Sequence, residues 1–183
     1  MANMQQFWVF GYGSLMWRPG FEFRDSEPAL IHGFHRSLCV YSFVHRGTPQ
    51  RPGLVLGLDR GGSCHGMAFR VAVEKWDETL AYLRAREQVT SVYLEAMRPV
   101  RLLDSGRKVE AVAYVVDRGH RQYAGKLDTG RLLALVNQGR GQSGKCTDYV
   151  WSTLDHLREM DIHDSHLEAL ASGLPPQAAS LTD

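Results

Sequence analysis

Cysteine is scarce in this chain: Cys39, Cys64 and Cys146 are the three in 183 residues, odd in number and far apart. That argues against a disulfide framework and against a closely spaced set of zinc ligands, and it fits a reducing cytosol. Charge of one sign is lacking as well. The 21 Lys+Arg are matched by 20 Asp+Glu, and no basic run longer than two residues appears outside short patches such as Arg98-Pro99-Val100-Arg101. Nucleic acid is therefore not the expected partner. No apolar run approaches the roughly 20 residues of a membrane span, and Met1 to Gln6 lacks a basic region followed by an apolar one. These absences lead to the expectation of a soluble, cytoplasmic protein with no membrane partner. There is no repeat and no linker.

With 44% hydrophobic and 22% charged residues, the chain can bury a core and fold alone. Its length, slightly above the roughly 150 residues of one typical domain, predicts a single domain over 1–183 with a core of about 7–172 and a loose tail at 175–183. Short runs rich in β-branched or aromatic residues predict strands at Phe7 to Phe10, Leu54 to Leu58, His65 to Val71, Val92 to Val100 and Val109 to Val116, and Ser37 to Phe43 reads as a buried strand. A helix is predicted over Val73 to Gln88, with two or three more near the C-terminus. Ser165-x-x-Glu168 has the form of a capping box, with Gly173 as the stop. Strands with hairpin-length gaps followed by terminal helices predict an α+β fold: a small antiparallel or mixed β-barrel with flanking helices.

The stretch "FWVFGYGSLMWRPGFEF" breaks an apolar run with two glycines. A dinucleotide fingerprint needs a third glycine where Met16 stands, so that match fails. What remains is a turn after a strand. Either it is an ordinary tight turn, or its glycines let the backbone approach a ligand and aim the N–H groups around Gly11, Tyr12, Gly13 and Ser14 at a carboxylate or oxyanion. Gly139 to Cys146 imitates a phosphate loop but offers Cys146 where a hydroxyl is needed, and helical rather than strand-like residues precede it. A helix-to-helix loop is expected there instead. Thr147 or Asp148 would cap the next helix, whose inner face would be Val150, Trp151, Leu154 and Leu157. His32 with His35 and His163 with His166 lack the carboxylate or cysteine partners that would complete a metal site, so none is expected. Cys39 reads as a buried strand residue, and no nucleophile elbow surrounds Ser14.

Glu87 is the informative carboxylate. Trp76, Leu80 and Leu83 recur at helical spacing, and Glu87 continues their stripe. Burial and the negative end of the helix dipole both raise the pKa of a carboxyl placed there, which suits a group that accepts and returns a proton near neutral pH. Alternatively the helix ends sooner and Glu87 joins Arg84 or Arg86 in a solvated cluster. Glu78 lies about half a turn away on a helix of about 3.6 residues per turn and is expected to face solvent.

Tyr12 to Leu15 after an N-terminal strand, "WRPGFEF", "HRGTPQRPG", "YLRAREQVT" and "GQSGKCTDYV" together resemble, in order and spacing, the ChaC-type γ-glutamylcyclotransferases. The likeness spans roughly Val9 to Leu170. It implies a small β-barrel with flanking helices, no cofactor, and a small-molecule γ-glutamyl substrate such as glutathione, cyclised to 5-oxoproline with release of Cys-Gly. It also implies Glu87 as the catalytic base and acid, and the segment Val9, Phe10, Gly11, Tyr12, Gly13, Ser14 and Leu15 as the holder of the γ-glutamyl group. For the rest of the substrate Arg46 and Tyr149 are candidates, each equally readable as structural: Arg46 as a turn residue, Tyr149 as part of a helix over the barrel. Two positions depart from the family's pattern: Ser91-Val92 replace a small, Gly-rich pair, and Gln88 stands where Lys is usual. Two other activities stay open: cyclisation of γ-glutamylamines, and a non-catalytic, transport-associated regulator that kept the pocket.

Overall fold

The computed structural model describes residues 5–177. β1 (Phe7–Gly11) pairs antiparallel with β3 (Gly53–Val71) and parallel with β5 (Lys108–Val116). With β2 (Asp25–Ser42) and β4 (Tyr93–Leu102), the order β1-β3-β2-β4-β5 closes on itself. The barrel is mixed because β1 meets β5 in parallel. Closure leaves no open strand edge.

Val9 and Phe10 are both fully buried although neighbouring strand residues point to opposite faces, so β1 is covered on both sides. The Val9 face joins Val71, Val112 and Tyr114 in a cluster completed by Leu15 and by Leu83 of α1 (Trp76–Glu87), with Trp76 and Leu80 packed against it. The rings of Phe7 and Trp76 stack with centroids 4.7 Å apart. A 3₁₀ turn, Val73–Lys75, leads into α1. The apolar stripe read from the sequence is thus the face that docks α1 on the barrel.

The runs expected as separate strands at Leu54 and His65 are parts of one long β3, bent where Gly61 and Gly62 take positive φ. β2 begins well before the buried Ser37 to Phe43 run. Its first half carries exposed His32 and Gly33 and lacks a clean alternation.

The described residues gather into two compact units, one reaching to Ser37 and including Leu56–Tyr123, the other formed by Leu38–Val55 and the chain from Ala124 on. The second unit holds α2 (Thr129–Gln138), α3 (Cys146–Glu159) and α4 (Ser165–Ser172), which pack on one another, and a two-stranded ribbon of β6 (Arg140–Gly141) and β7 (Gly144–Lys145). Four expectations are corrected here. The segment between α2 and α3 is this ribbon rather than a plain loop, and α3 starts at Cys146, so Thr147 and Asp148 lie inside its first turn and no side chain caps it. Val150, Leu154 and Leu157 are buried as expected, whereas Trp151 is partly exposed and its Nε1 donates to the Pro175 carbonyl at 3.1 Å. Asp164, not Ser165, caps α4, accepting from the Leu167 N–H at 3.0 Å; Glu168 turns away to Arg158. Cys146 is fully buried, its thiol against the backbone of Leu54 at 3.1 and 3.4 Å.

Of the expected loose tail, Pro175 and Gln177 make hydrogen bonds, to Trp151 and Asp155 respectively, and residues 178–183 lie outside the described residues. Among the described residues no helix is long and apolar enough to cross a membrane, and no group of three or more His, Cys, Asp and Glu could hold a metal ion. His32 and His35 sit on β2, where His32 is exposed and His35 Nδ1 lies 2.9 Å from the Gly61 carbonyl oxygen.

Candidate active site

At the end of β1 the chain turns through Tyr12 and Gly13 into a 3₁₀ turn, Ser14–Met16, closed by the Met16 N–H donating to Gly13 O at 2.9 Å. The two glycines have different reasons. A Cβ on Gly11 would lie 3.0 Å from Leu15 Cβ and 3.3 Å from Met16 N, because the turn folds back on the strand end. Gly13 has φ −133°, and a Cβ there would meet only Leu56 Cδ1, at 3.8 Å. Crowding does not set this position, but its ψ of −132° lies outside the main regions open to residues with a Cβ.

Two arginines brace this turn. Arg36, 7% exposed on β2, donates from Nε to the Tyr12 carbonyl at 2.6 Å and from Nη2 to the His65 carbonyl at 2.7 Å. Arg86, in the last turn of α1, donates from Nη2 to Ser14 Oγ at 3.0 Å. Its Nη1 reaches Arg18 O at 2.5 Å, Pro19 O at 3.1 Å and Tyr82 Oη at 3.1 Å. The same guanidinium approaches Glu87 Oε1 through Nε at 3.4 Å. Both glycines, Ser14 and Glu87 are therefore parts of one braced region of the first unit.

Glu87 closes α1 and its side chain is 17% exposed. Burial pushes its pKa up; the neighbouring Arg86 charge pulls the other way and does not cancel the rise. Glu78 is exposed and pairs with Lys75. Beside Glu87, Tyr114 is fully buried and its hydroxyl donates to Glu95 Oε1 at 2.8 Å, while Arg84 grips the same carboxylate with bonds of 3.0 and 2.9 Å. Burial first, then the bond to Glu95, keeps the Tyr114 phenol protonated, and the charge of Glu87 adds to the effect.

After α1 the chain turns at Ser91, whose φ is +59°. Gln88 Nε2 donates to the Tyr93 carbonyl at 3.3 Å, and Tyr93 Oη donates to Leu56 O at 2.7 Å.

Arg46 and Tyr149 lie in the second unit and meet each other there. The Arg46 guanidinium sits 5.5 Å from the Tyr149 ring centre and donates to the Lys145 carbonyl at 3.1 Å. Val9 and Phe10 have their side chains in the core of the strand that launches the turn. Sequence reasoning missed Arg36, Glu95 and Tyr114, and saw Arg86 only as a surface partner. Tyr114 left a faint signal, as the one hydroxyl in the apolar run Val109 to Val116.

A barrel of this topology with a braced turn and a buried carboxylate defines a class, and comparison with known proteins names it. The family model for ChaC-like proteins matches residues 7–174, and the chain belongs to that family. It is similar to the glutathione-specific γ-glutamylcyclotransferase of Escherichia coli K12, 34% identical over 89% of this chain and 70% of that protein. It is also similar to glutathione-specific γ-glutamylcyclotransferase 1 of Mus musculus, 32% identical over 99% of this chain and 87% of that one. Among solved structures, the γ-glutamyl cyclotransferase specific to glutathione from yeast shares the fold with a TM-score of 0.81, covering 91% of this chain and 94% of its own at 24% identity.

Proposed function

We propose that this protein is a glutathione-specific γ-glutamylcyclotransferase, a lyase that works in the cytoplasm on a small-molecule substrate. The observation that carries the mechanism is a carboxylate largely buried at the end of α1 and tied through one arginine to a glycine turn; that burial pushes its pKa up. A γ-glutamyl compound brings its own nucleophile. Its α-amine attacks the γ-carbonyl carbon, the new C–N bond closes the five-membered ring of 5-oxoproline, and the bond to the cysteine nitrogen breaks. The α-ammonium loses two protons in becoming the ring amide, and the cysteine nitrogen gains two in leaving as an ammonium. Only protons need to be moved.

Glu87 is the carrier we assign to them, as base and then acid, with a pKa nearer neutrality than a solvated carboxyl. The N–H groups opening a helical turn have no partner within that turn, and to those of Gly13, Ser14 and Leu15 we assign the holding of the substrate carboxylate or the developing oxyanion. The contacts of Arg46 and Tyr149 with each other favour a structural role for that pair. The test is to incubate the pure protein with glutathione, and separately with a γ-glutamylamine, in the presence of EDTA, and to measure 5-oxoproline and the released amine. Release of Cys-Gly with 5-oxoproline from glutathione is expected. Product from the γ-glutamylamine alone reassigns the substrate, and no product from either overturns the function.

A further inference from the structure

The Arg86 guanidinium touches both ends of one turn. At the start of the turn it donates to the Ser14 hydroxyl, at 3.0 Å; at its end it donates to two successive carbonyls, Arg18 O at 2.5 Å and Pro19 O at 3.1 Å. Its third edge, Nε, faces Glu87 Oε1 at 3.4 Å, and its side chain is 22% exposed. A surface arginine kept for solubility makes no such set of contacts, and lysine, a compact point charge, has no planar fork with which to make it. All these partners except Tyr82 and Glu87 are about 70 residues distant in sequence, so the contacts are properties of the fold rather than of local helix chemistry.

We propose that Arg86 is the positioning residue of this site, fastening the Ser14–Pro19 turn and the Glu87 carboxylate to one guanidinium so that the groups holding the substrate and the group moving its protons keep a fixed spacing. This rests on the assignment of Glu87 and the turn made above. Two separable contributions follow. The fork sets geometry, and a displacement on the order of 1 Å at a reacting centre can cost about a hundredfold in rate. The charge favours the ionised form of Glu87. Tyr114 of β5 also feels the charge of Glu87, and burial and its bond to Glu95 hold its phenol protonated.

The experiment compares Arg86→Gln and Arg86→Lys with the wild-type chain, measuring kcat, KM, the pH dependence of kcat/KM and the thermal midpoint. Arg86→Gln removes fork and charge: kcat should fall at least tenfold, and the limb of kcat/KM that rises with pH should move to higher pH, because Glu87 then ionises later. Arg86→Lys keeps the charge, so the limb should return toward its wild-type place while kcat stays low. Wild-type kcat and an unmoved limb in both variants overturn the proposal. So does a loss of activity that only tracks the unfolded fraction. Glu87→Gln run alongside separates the two levels. If wild type makes no 5-oxoproline, or Glu87→Gln stays fully active, the reading of the site fails; if Glu87→Gln is inactive and the Arg86 variants are normal, the positioning role alone fails.

Discussion

Two carboxylates flank the short connection between α1 and β4, both beside Tyr114, and they are held in opposite ways. Glu95 accepts two bonds from Arg84 and one from the Tyr114 hydroxyl, and the Arg84 bond above all keeps its pKa below the ordinary range. Glu87 has Arg86 Nε at 3.4 Å, beyond good hydrogen-bond length, and burial keeps its pKa above the ordinary range. A carboxylate whose lone pairs are satisfied by fixed donors is a strut. One that is desolvated but under-satisfied is ready to take a proton, and this pair shows the difference within one neighbourhood.

The sharpest way to break the comparison is to neutralise each member. Glu87→Gln keeps shape and polarity, and kcat for 5-oxoproline formation should fall by about 10² or more, the size of a general acid–base contribution. The exposed Glu78→Gln should leave kcat unchanged. The sign of the stability effect is also fixed. A carboxyl whose folded pKa lies above its unfolded value contributes stability that is full below the unfolded pKa and is lost as pH rises through the folded one. Glutamine has no such loss, so Glu87→Gln should be at least as stable as wild type at neutral pH, read as a thermal midpoint. A mutant that is active, or clearly destabilised at neutral pH, would make Glu87 a strut like Glu95.

Next in size is Gly13→Ala, which probes the partner of Glu87 across Arg86. The added methyl meets only Leu56 Cδ1 at 3.8 Å, so crowding costs little, and the thermal midpoint measures what the φ −133°, ψ −132° backbone costs a residue with a Cβ. Loss of activity per folded molecule reports the ligand, and a fall in kcat/KM of about tenfold is expected if the substrate lies against this backbone. Gly11→Ala is the contrast: its methyl is crowded by Leu15, and stability should drop by about 1–3 kcal/mol. Full activity per folded Gly13→Ala molecule would return the turn to a purely structural one.

How much of this was legible in the sequence depends on the range of the contacts. The α1 stripe is local, so Trp76, Leu80 and Leu83 gave the docking face and with it the inward placement of Glu87. The strand cores were legible wherever apolar residues ran together. The full length of β2 and β3 was not, because exposed histidines and glycines interrupt both. The caps were misplaced by a residue or two, since Asp164 and Ser165 offer the same kind of oxygen and only geometry chooses between them. Arg36, Arg86, Glu95 and Tyr114 were invisible as a site because their partners come from other elements, and no spacing rule links Arg86 to the carbonyls of Arg18 and Pro19. Arg46 and Tyr149 were named together by resemblance, and the fold stacks them on each other.

A smaller effect is expected at Glu95→Gln. The amide keeps one oxygen for the Tyr114 hydroxyl but gives up the charge that Arg84 grips. Hydrogen bonds to charged groups contribute about 1.5–3 kcal/mol, and half-exposure of Arg84 screens part of that, so a loss of about 1 kcal/mol is expected. Kinetics per folded molecule should change far less than in Glu87→Gln. A drop in kcat of the Glu87→Gln size would show that Glu95 takes part in proton transfer, and the contrast between strut and carrier would collapse.

The smallest expected change lies in the connection between the two carboxylates. Ser91 holds φ at +59°, a region where a side chain on an L-residue costs about 1–2 kcal/mol. Glycine removes that cost, but it also widens the unfolded ensemble, which takes back about 0.4–1 kcal/mol. The net for Ser91→Gly is a gain of about 0.5 kcal/mol, visible as a small rise in the thermal midpoint. Gln88 Nε2 already ties this connection to the Tyr93 carbonyl, so relaxing Ser91 should leave Glu87 in place and kcat unchanged. A stabilised mutant with lowered kcat would show instead that the left-handed turn helps to press Glu87 into its buried position, and the difference between the two carboxylates would then owe part of its origin to backbone strain rather than to side-chain partners alone.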